Sequence, residues 1–385
     1  MGSTPFALHN PVQTYAWGSR DGLARWAGVD GRDETPKAEL WVGAHRKSPS
    51  RLTPQGPTLD RWLAAHPSAL GPEVARQFDG LPFLLKILAA EAPLSVQCHP
   101  DAQQAREGFE REERRGIPAD APHRNYKDPN PKPELLVALT PFRALEGFRP
   151  LDRIARDLSR LPDAGGLRGA FEQGAAAGLA AWLRVPRASV LPWIEACEVI
   201  AEPPFSTVPY LRRFFSDDPS VLAPLFLNEL TLKPGEALFL GPGRLHAYLN
   251  GVAIEVMGSS DNVLRGGLTQ KHVDVDELIR IVRPDSAPPR RVQARDEGPW
   301  KVYPTEAREF AVELLPPSRL GEGPRHPDRV EMLFALRGGA DVVWAGHRQV
   351  LDAPRALLVP AGAPPYRIES RASVVRTSVP LDDGT

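Results

Sequence analysis

The sequence predicts a mainly β protein with an α insertion: two small β-barrels plus a helical domain. Three observations predict it. Short strand-like runs separated by Gly and Pro dominate residues 6–100, 134–150 and 226–275. Between the last two, apolar residues recur at helical spacing. Strand-like runs resume near residue 300, and one of them echoes a segment of the earlier β region. A chain of 385 residues also exceeds one ordinary core, so it divides. The expected division is a discontinuous first barrel from 1–150 and 223–283, a helical insertion at 151–222, a linker at 284–299 and a second barrel at 300–385.

Composition narrows the partners. With 47 basic and 48 acidic residues the net charge is -1, which gives no electrostatic reason to expect nucleic acid or an anionic membrane. No apolar run approaches the roughly 18 residues of a membrane span. The start, MGSTPFALHNPVQ, has neither the basic end nor the apolar core of a signal peptide, and Phe6 stands where a myristoylation signal needs Ser or Thr. Two cysteines, Cys98 and Cys197, make no disulfide framework and favour a reducing, cytoplasmic compartment.

Along the chain, the first chemical signal is LPFLLKILAAEAPLSVQCHPD, Leu81 to Asp101. A strand from Leu94 to His99 puts Ser95, Gln97 and His99 on one face and Leu94, Val96 and Cys98 on the other. Hydroxyl, amide and imidazole opposite an apolar face suit a strand lining a polar cavity, with the Cys98 thiol in packing. Lys86 interrupts an apolar run, where a charge is expensive without a partner or an anionic ligand. Next, REGFEREERR reads as an exposed, structural helix before the turn at Gly116–Pro118. In PNPKPELLVAL, Pro131 and Pro133 enforce extended backbone, so Lys132 and Glu134 share a face where a strand begins. Leu151, Ile154, Leu158 and Leu161 then open the helical insertion, which continues through GAAAGLAAWLRV and VLPWIEACEVI.

The segment GEALFLGPGRLHAYLN, Gly235 to Asn250, reads as strand, glycine-proline turn and second strand presenting His246. Its spacing resembles the second motif of the cupin superfamily of jelly-roll barrels, with Gly241 where the turn proline usually stands. Gln97 and His99 alone read as a hydrogen-bonded pair. Beside His246 and Glu134 they complete a mixed N and O set of four, which suits zinc or a neighbouring divalent metal. Tyr248 shares the strand face of His246. Further on, Arg265 precedes two glycines that leave room around it, and Lys271 adds a second cation, a pattern for phosphate or for an ordinary surface loop. In the last section, Ala356 to Val359 overlays Ala237 to Leu240, bringing Gly243 onto Gly362 but His246 onto Pro365. Only the first barrel is equipped for a metal.

Taken together, VQTYAWG, AELWVGAH, FLLKIL, PLSVQCHPD, the GIP…RNYKD…KPE segment and HAYLNG…E…SSDNVLRGGLTQK resemble type I mannose-6-phosphate isomerase, a zinc-dependent cupin family. The resemblance runs from Val12 to Lys271. It implies one zinc ion per chain on Gln97, His99, Glu134 and His246, an essential arginine at Arg265, and interconversion of mannose 6-phosphate and fructose 6-phosphate by proton transfer between C2 and C1. Pro131 stands where the family usually has His, and Leu245 where it usually has Pro. Since an arginine is a poor base, Glu255 is the better candidate for proton transfer, with Lys132 or a metal-bound water. Phosphate would fall to Ser95, Lys86 and Lys271, with Arg265 shared, while Trp17 and Tyr248 shape the sugar pocket. His9, His45 and His123 are expected to be structural. A small phosphosugar is the only partner expected, and the chain is expected to be a monomer. The alternatives are a related cupin isomerase acting on another aldose, a non-catalytic sugar-binding cupin protein, and a cupin Fe(II) oxygenase. The last would more often carry a His-x-His pair.

Overall fold

The structure, a computed structural model, describes residues 4–216, 218–317 and 325–380. Met1–Ser3, where no lipidation start is expected, lie outside the described residues. The first half contributes β1 (Phe6–Leu8), β2 (Val12–Gln13), β3 (Glu39–Gly43), β4 (Phe83–Ala90), β5 (Val96–Cys98), β6 (Glu134–Ala138) and β7 (Phe142–Phe148). Helices from Leu151–Leu158 to Ala223–Phe226 follow, then β8 (Leu227–Leu232), β9 (Ala237–Leu240), β10 (His246–Gly258) and β11 (Leu264–Gly267). The rest is β12 (Arg291–Val292), β13 (Arg295–Glu297), β14 (Trp300–Tyr303), β15 (Ala311–Leu315), β16 (Glu331–Leu336), β17 (Gly339–Trp344), β18 (His347–Asp352), β19 (Ala356–Val359), β20 (Tyr366–Ser370) and β21 (Ser373–Ser378). The protein is therefore mainly β with an α insertion.

One sheet runs β12-β9-β6-β10-β4-β3-β2 and a second runs β1-β19-β16-β21-β15-β14-β13. The two orders are the same pattern repeated. Register makes the repeat exact to the residue: Glu134 opposes Leu240 as Glu331 opposes Val359, and Glu255 opposes Lys86 as Arg376 opposes Glu313. The edge strands are exchanged. β1 pairs with β19 in the second sheet, whereas β12 pairs with β9 in the first. The expected division is thus crossed twice, because Phe6–Leu8 leave the first barrel and Arg291–Val292, within the expected linker, join it. Each exchange covers an edge that would otherwise present unpaired backbone groups.

The central strands of both sheets are buried on both faces, which explains their nearly unbroken apolar sequences. Leu85 and Ile87 of β4, Leu135 and Val137 of β6, and Ile254 and Val256 of β10 share a core with Met332, Phe334, Leu358 and Val375 of the second sheet. The alternate residues Lys86, Glu134 and Glu255 face away from that core and line a cavity. β10 spans two layers: Val252–Gly258 pair with β4, while His246–Tyr248 pair with β7. In the outer layer Val96, Cys98, Leu145 and Ala247 pack on the helical insertion through Ile154, Leu179 and Phe226. Cys98 is thereby buried in apolar surroundings, which push its thiol far up. Among the described residues no helix is long and apolar enough to cross a membrane.

The charged segment near residue 106 forms the helix Ala102–Arg114, started by a capping box between Asp101 and Gln104. Its role is structural but not wholly exposed. Glu112 turns inward and accepts from the backbone N–H groups of Asn125 and Tyr126, holding the chain that leads to Lys132.

Candidate active site

Three strands converge on one point. His246 opens β10, Glu134 opens β6, and His99 follows β5, where Gln97 stands directly opposite His246 in register. β9 and β10 do not form a hairpin, since β6 lies between them. The turn joining them nonetheless serves the site, because Gly243, at φ +77°, donates its N–H to the His99 carbonyl at 2.9 Å.

Both histidines are fixed from behind. Nδ1 of His99 lies 2.8 Å from the Asn262 carbonyl oxygen and Nδ1 of His246 lies 3.0 Å from that of Arg244. Each Nδ1 therefore carries the proton, and each Nε2 turns a lone pair inward. Those Nε2 atoms have no hydrogen-bond partner although both side chains are fully buried. They face the Glu134 carboxylate, at 3.1 Å from His99 and 3.5 Å from His246. Lone pairs against a carboxylate repel unless a cation sits among them, and the ligand atoms lie within 4.8 Å of one another. Burial and Lys132 hold the His99 imidazole down to about 4, so it stays neutral as a ligand must. The residues fit a divalent metal with nitrogen and oxygen donors.

A buried polar chain continues from there. The Lys132 ammonium is 2.9 Å from Glu134, and the Tyr248 hydroxyl reaches Glu255 at 2.9 Å and Glu134 at 3.3 Å. Lys86 lies 2.9 Å from Glu255 and 3.3 Å from Glu39, which also accepts from the Trp41 indole. Burial raises the Glu255 carboxyl and Lys86 opposes the shift. Two ammoniums against three carboxylates leave a net negative charge, which a divalent cation would reverse.

These groups line a cavity of about 560 Å³, with Trp17, Ser95, Gln97, Arg265 and Lys271. At one end the walls turn cationic. Arg265 has no carboxylate partner among the described residues, and burial lowers it. Burial and then Arg265, Lys47 and Lys127 lower Lys271. Lys47 also lines this cavity.

Comparison with known proteins agrees with this geometry. The family model described as phosphomannose isomerase type I, catalytic domain, matches residues 6–151. Mannose-6-phosphate isomerase of Escherichia coli strain K12 is 36% identical over 396 residues, covering 96% of this chain and 98% of that protein. The human enzyme of the same name is 33% identical over 359 residues, covering 80% and 81%. A solved structure of zinc-bound mannose 6-phosphate isomerase superposes with a TM-score of 0.89 at 34% identity, covering 98% of this chain and all of the other. The chain belongs to the type I phosphomannose isomerase family. Apo mannose 6-phosphate isomerase from Salmonella typhimurium also superposes with a TM-score of 0.89, at 34% identity, over 99% of this chain.

Against that phosphomannose isomerase framework, all twelve residues expected at the site fall in or beside one cavity, but Lys86 and the glycines after Arg265 answer to other contacts than expected. The charge of Lys86 is answered by Glu39 and Glu255, so its burial does not call for a phosphate. The glycines after Arg265 serve packing: a Cβ on Gly267 would lie 2.1 Å from the Ser220 Cβ, and one on Gly266 would press on Leu278 and Val96. The Ser220 hydroxyl accepts the Leu268 N–H at 2.6 Å, tying the loop to the helical insertion. Sequence reading missed Glu39, Lys47 and Asp261, and it placed His45 among structural histidines, whereas His45 lines the cavity. The signal was present in ELWVGAHRK, whose period of two puts Glu39, Trp41 and His45 on one side.

Proposed function

We propose that this protein is a zinc-dependent aldose-ketose isomerase interconverting mannose 6-phosphate and fructose 6-phosphate. The observation that carries the reading is the pair of inward, unpartnered Nε2 atoms of His99 and His246 on either side of Glu134. With Gln97 these residues would hold one zinc ion, which supplies a Lewis acid and a template for sugar oxygens. Glu255 moves the proton between C2 and C1, its carboxyl raised by burial toward the range a general base needs. Tyr248, hydrogen-bonded to Glu255, keeps that carboxylate aimed, and Lys132 stands across the site to shuttle the hydroxyl proton. Arg265 stabilises the developing enediolate charge. Lys271 and Lys47, with Ser95, bind the phosphate at the cationic end. Trp17, stacked on Tyr15 at 5.7 Å between ring centroids, forms a wall of the sugar pocket.

The protein acts as a monomer in the cytoplasm on a small phosphosugar; its two unpaired, buried cysteines support a reducing compartment, and its near-neutral charge gives no reason for a nucleic-acid or membrane partner. The test is turnover of mannose 6-phosphate to fructose 6-phosphate with and without chelator, alongside metal analysis. Zinc-loaded protein is expected to turn over and to lose activity as its zinc is stripped. No turnover by the zinc-loaded protein overturns the isomerase reading, and full turnover after complete metal removal overturns the ligand set.

A further inference from the structure

His45 lies in the turn after β3, only 3% exposed, and its ring forms part of the wall between two cavities. One is the candidate sugar site. The other, of about 720 Å³, lies behind the Asp128–Pro131 segment and shares His45 but not Asp261. The residue is held at three points, two on the ring and one on the backbone. It meets Trp41 edge-on at 5.0 Å between centroids, its backbone carbonyl accepts from Ser48 at 3.0 Å, and its Nδ1 accepts the Lys47 N–H at 3.4 Å. An accepting Nδ1 assigns the proton to Nε2, which lies 3.7 Å from the Asp261 carboxylate.

Asp261 is held as well as aimed. Its backbone N–H donates to Asp128 at 2.9 Å, and its second oxygen lies 3.9 Å from the Arg46 guanidinium. The side chain keeps 22% exposure, on the side of the sugar cavity. A carboxylate is an acceptor only, so what it can take from a polyol is a hydroxyl hydrogen. Its direction toward the sugar depends on donors behind it, and contacts of this kind tighten when ligand enters.

We propose that His45 is a positioning residue, holding the Asp261 carboxylate through Nε2–H so that it accepts a hydrogen bond from a hydroxyl of the phosphosugar. This rests on the isomerase reading above and adds to it. The imidazole brings no charge: burial, offset by Asp261 and then aided by Lys86, Lys132 and Arg46, holds it down to about 4. It can therefore orient the carboxylate without neutralising it.

The test is a double-mutant cycle on zinc-loaded protein, read as kcat/KM for mannose 6-phosphate with thermal midpoint and zinc content in parallel. His45→Phe keeps the ring against Trp41 and removes the N–H. It is expected to lower kcat/KM about tenfold or more, the scale of one hydrogen bond to a charged group, at unchanged midpoint and zinc content. His45→Gln, which returns an N–H near the same place, should recover most of the loss. In an Asp261→Asn background, His45→Phe should cost no more than about twofold, because the group it positions is gone. If His45→Phe does not fold, His45→Asn, polar but too short to reach Asp261, takes its place in the cycle. Full activity of His45→Phe, equal loss in His45→Gln, or an equal cost in the Asp261→Asn background would each overturn the role. Absence of turnover in the unmodified zinc-loaded protein would instead overturn the isomerase reading, and the role of His45 with it.

Discussion

Lys86 is the residue that most separates sequence from structure. Its run FLLKIL predicts a cation in need of an anion, and β4 places it between Glu39 and Glu255 in the cavity wall. Removing one member of a buried ionic set leaves uncompensated charge, so Lys86→Met should cost about 3–5 kcal/mol, read as a lower urea midpoint. An unchanged midpoint with a raised KM would instead put Lys86 on the phosphate. The same substitution carries a pH signature. Glu255 must be ionised to act as base, so kcat/KM falls as pH drops through its pKa, and that acid limb should lie above the ordinary 4.5 because burial raises the carboxyl. Lys86 is the principal group opposing that rise. In Lys86→Met, the acid limb should therefore move further up, as a pH profile of kcat/KM would record.

Among elements, β5 and β10 were the most legible. The alternation in LSVQCH assigns Gln97 and His99 to one side and Val96 and Cys98 to the other, and the structure packs Val96 and Cys98 on the helical insertion. Period two is local geometry, so one strand suffices to read it. The end of β11 was less legible, since its last glycine answers to a helical turn nearly fifty residues earlier in the chain. Gly267 sits at φ +131° with Ser220 in the space of its missing Cβ. Gly267→Ala should cost about 1–3 kcal/mol through backbone strain and overpacking. It should also weaken competitive inhibition by inorganic phosphate, because Lys271 is carried on the loop that Gly267 leads into. Unchanged stability and inhibition would detach the glycine from the phosphate site.

At the scale of the whole molecule, the two β units are bound by exchanged edge strands and a shared core. The protein should therefore unfold in one calorimetric transition, with van't Hoff and calorimetric enthalpies in agreement, rather than barrel by barrel. Leu8, fully buried in that shared core, belongs to β1. Leu8→Ala should lower stability by about 2–5 kcal/mol and lower that single transition as a whole. Two separated transitions, only one of them shifted, would show that the units fold independently.

The repeat also explains why, among the described residues, a metal-ligand cluster stands in the first unit and not in the second. Glu331 occupies the register position of Glu134, yet its carboxylate is met by the Arg325 guanidinium at 2.6 Å and by the Tyr366 hydroxyl. The Lys86–Glu255 pair returns with its charges reversed as Glu313 and Arg376, and Arg376 lies over Trp300 at 3.9 Å. The second unit thus satisfies its buried acid with a guanidinium, and Pro365 offers no imidazole.

By itself the sequence determined the fold class and the strand faces of β5, β6 and β10, and it named the four donors proposed for the metal, because alternation acts over a few residues. Only the tertiary structure decided what answers Lys86, why the glycines follow Arg265, how the edge strands cross between units, and that His45 and Asp261 stand at the cavity. Each of those depends on a contact between segments far apart in the chain, and no local period records which distant side chain will arrive to neutralise a charge or fill a space.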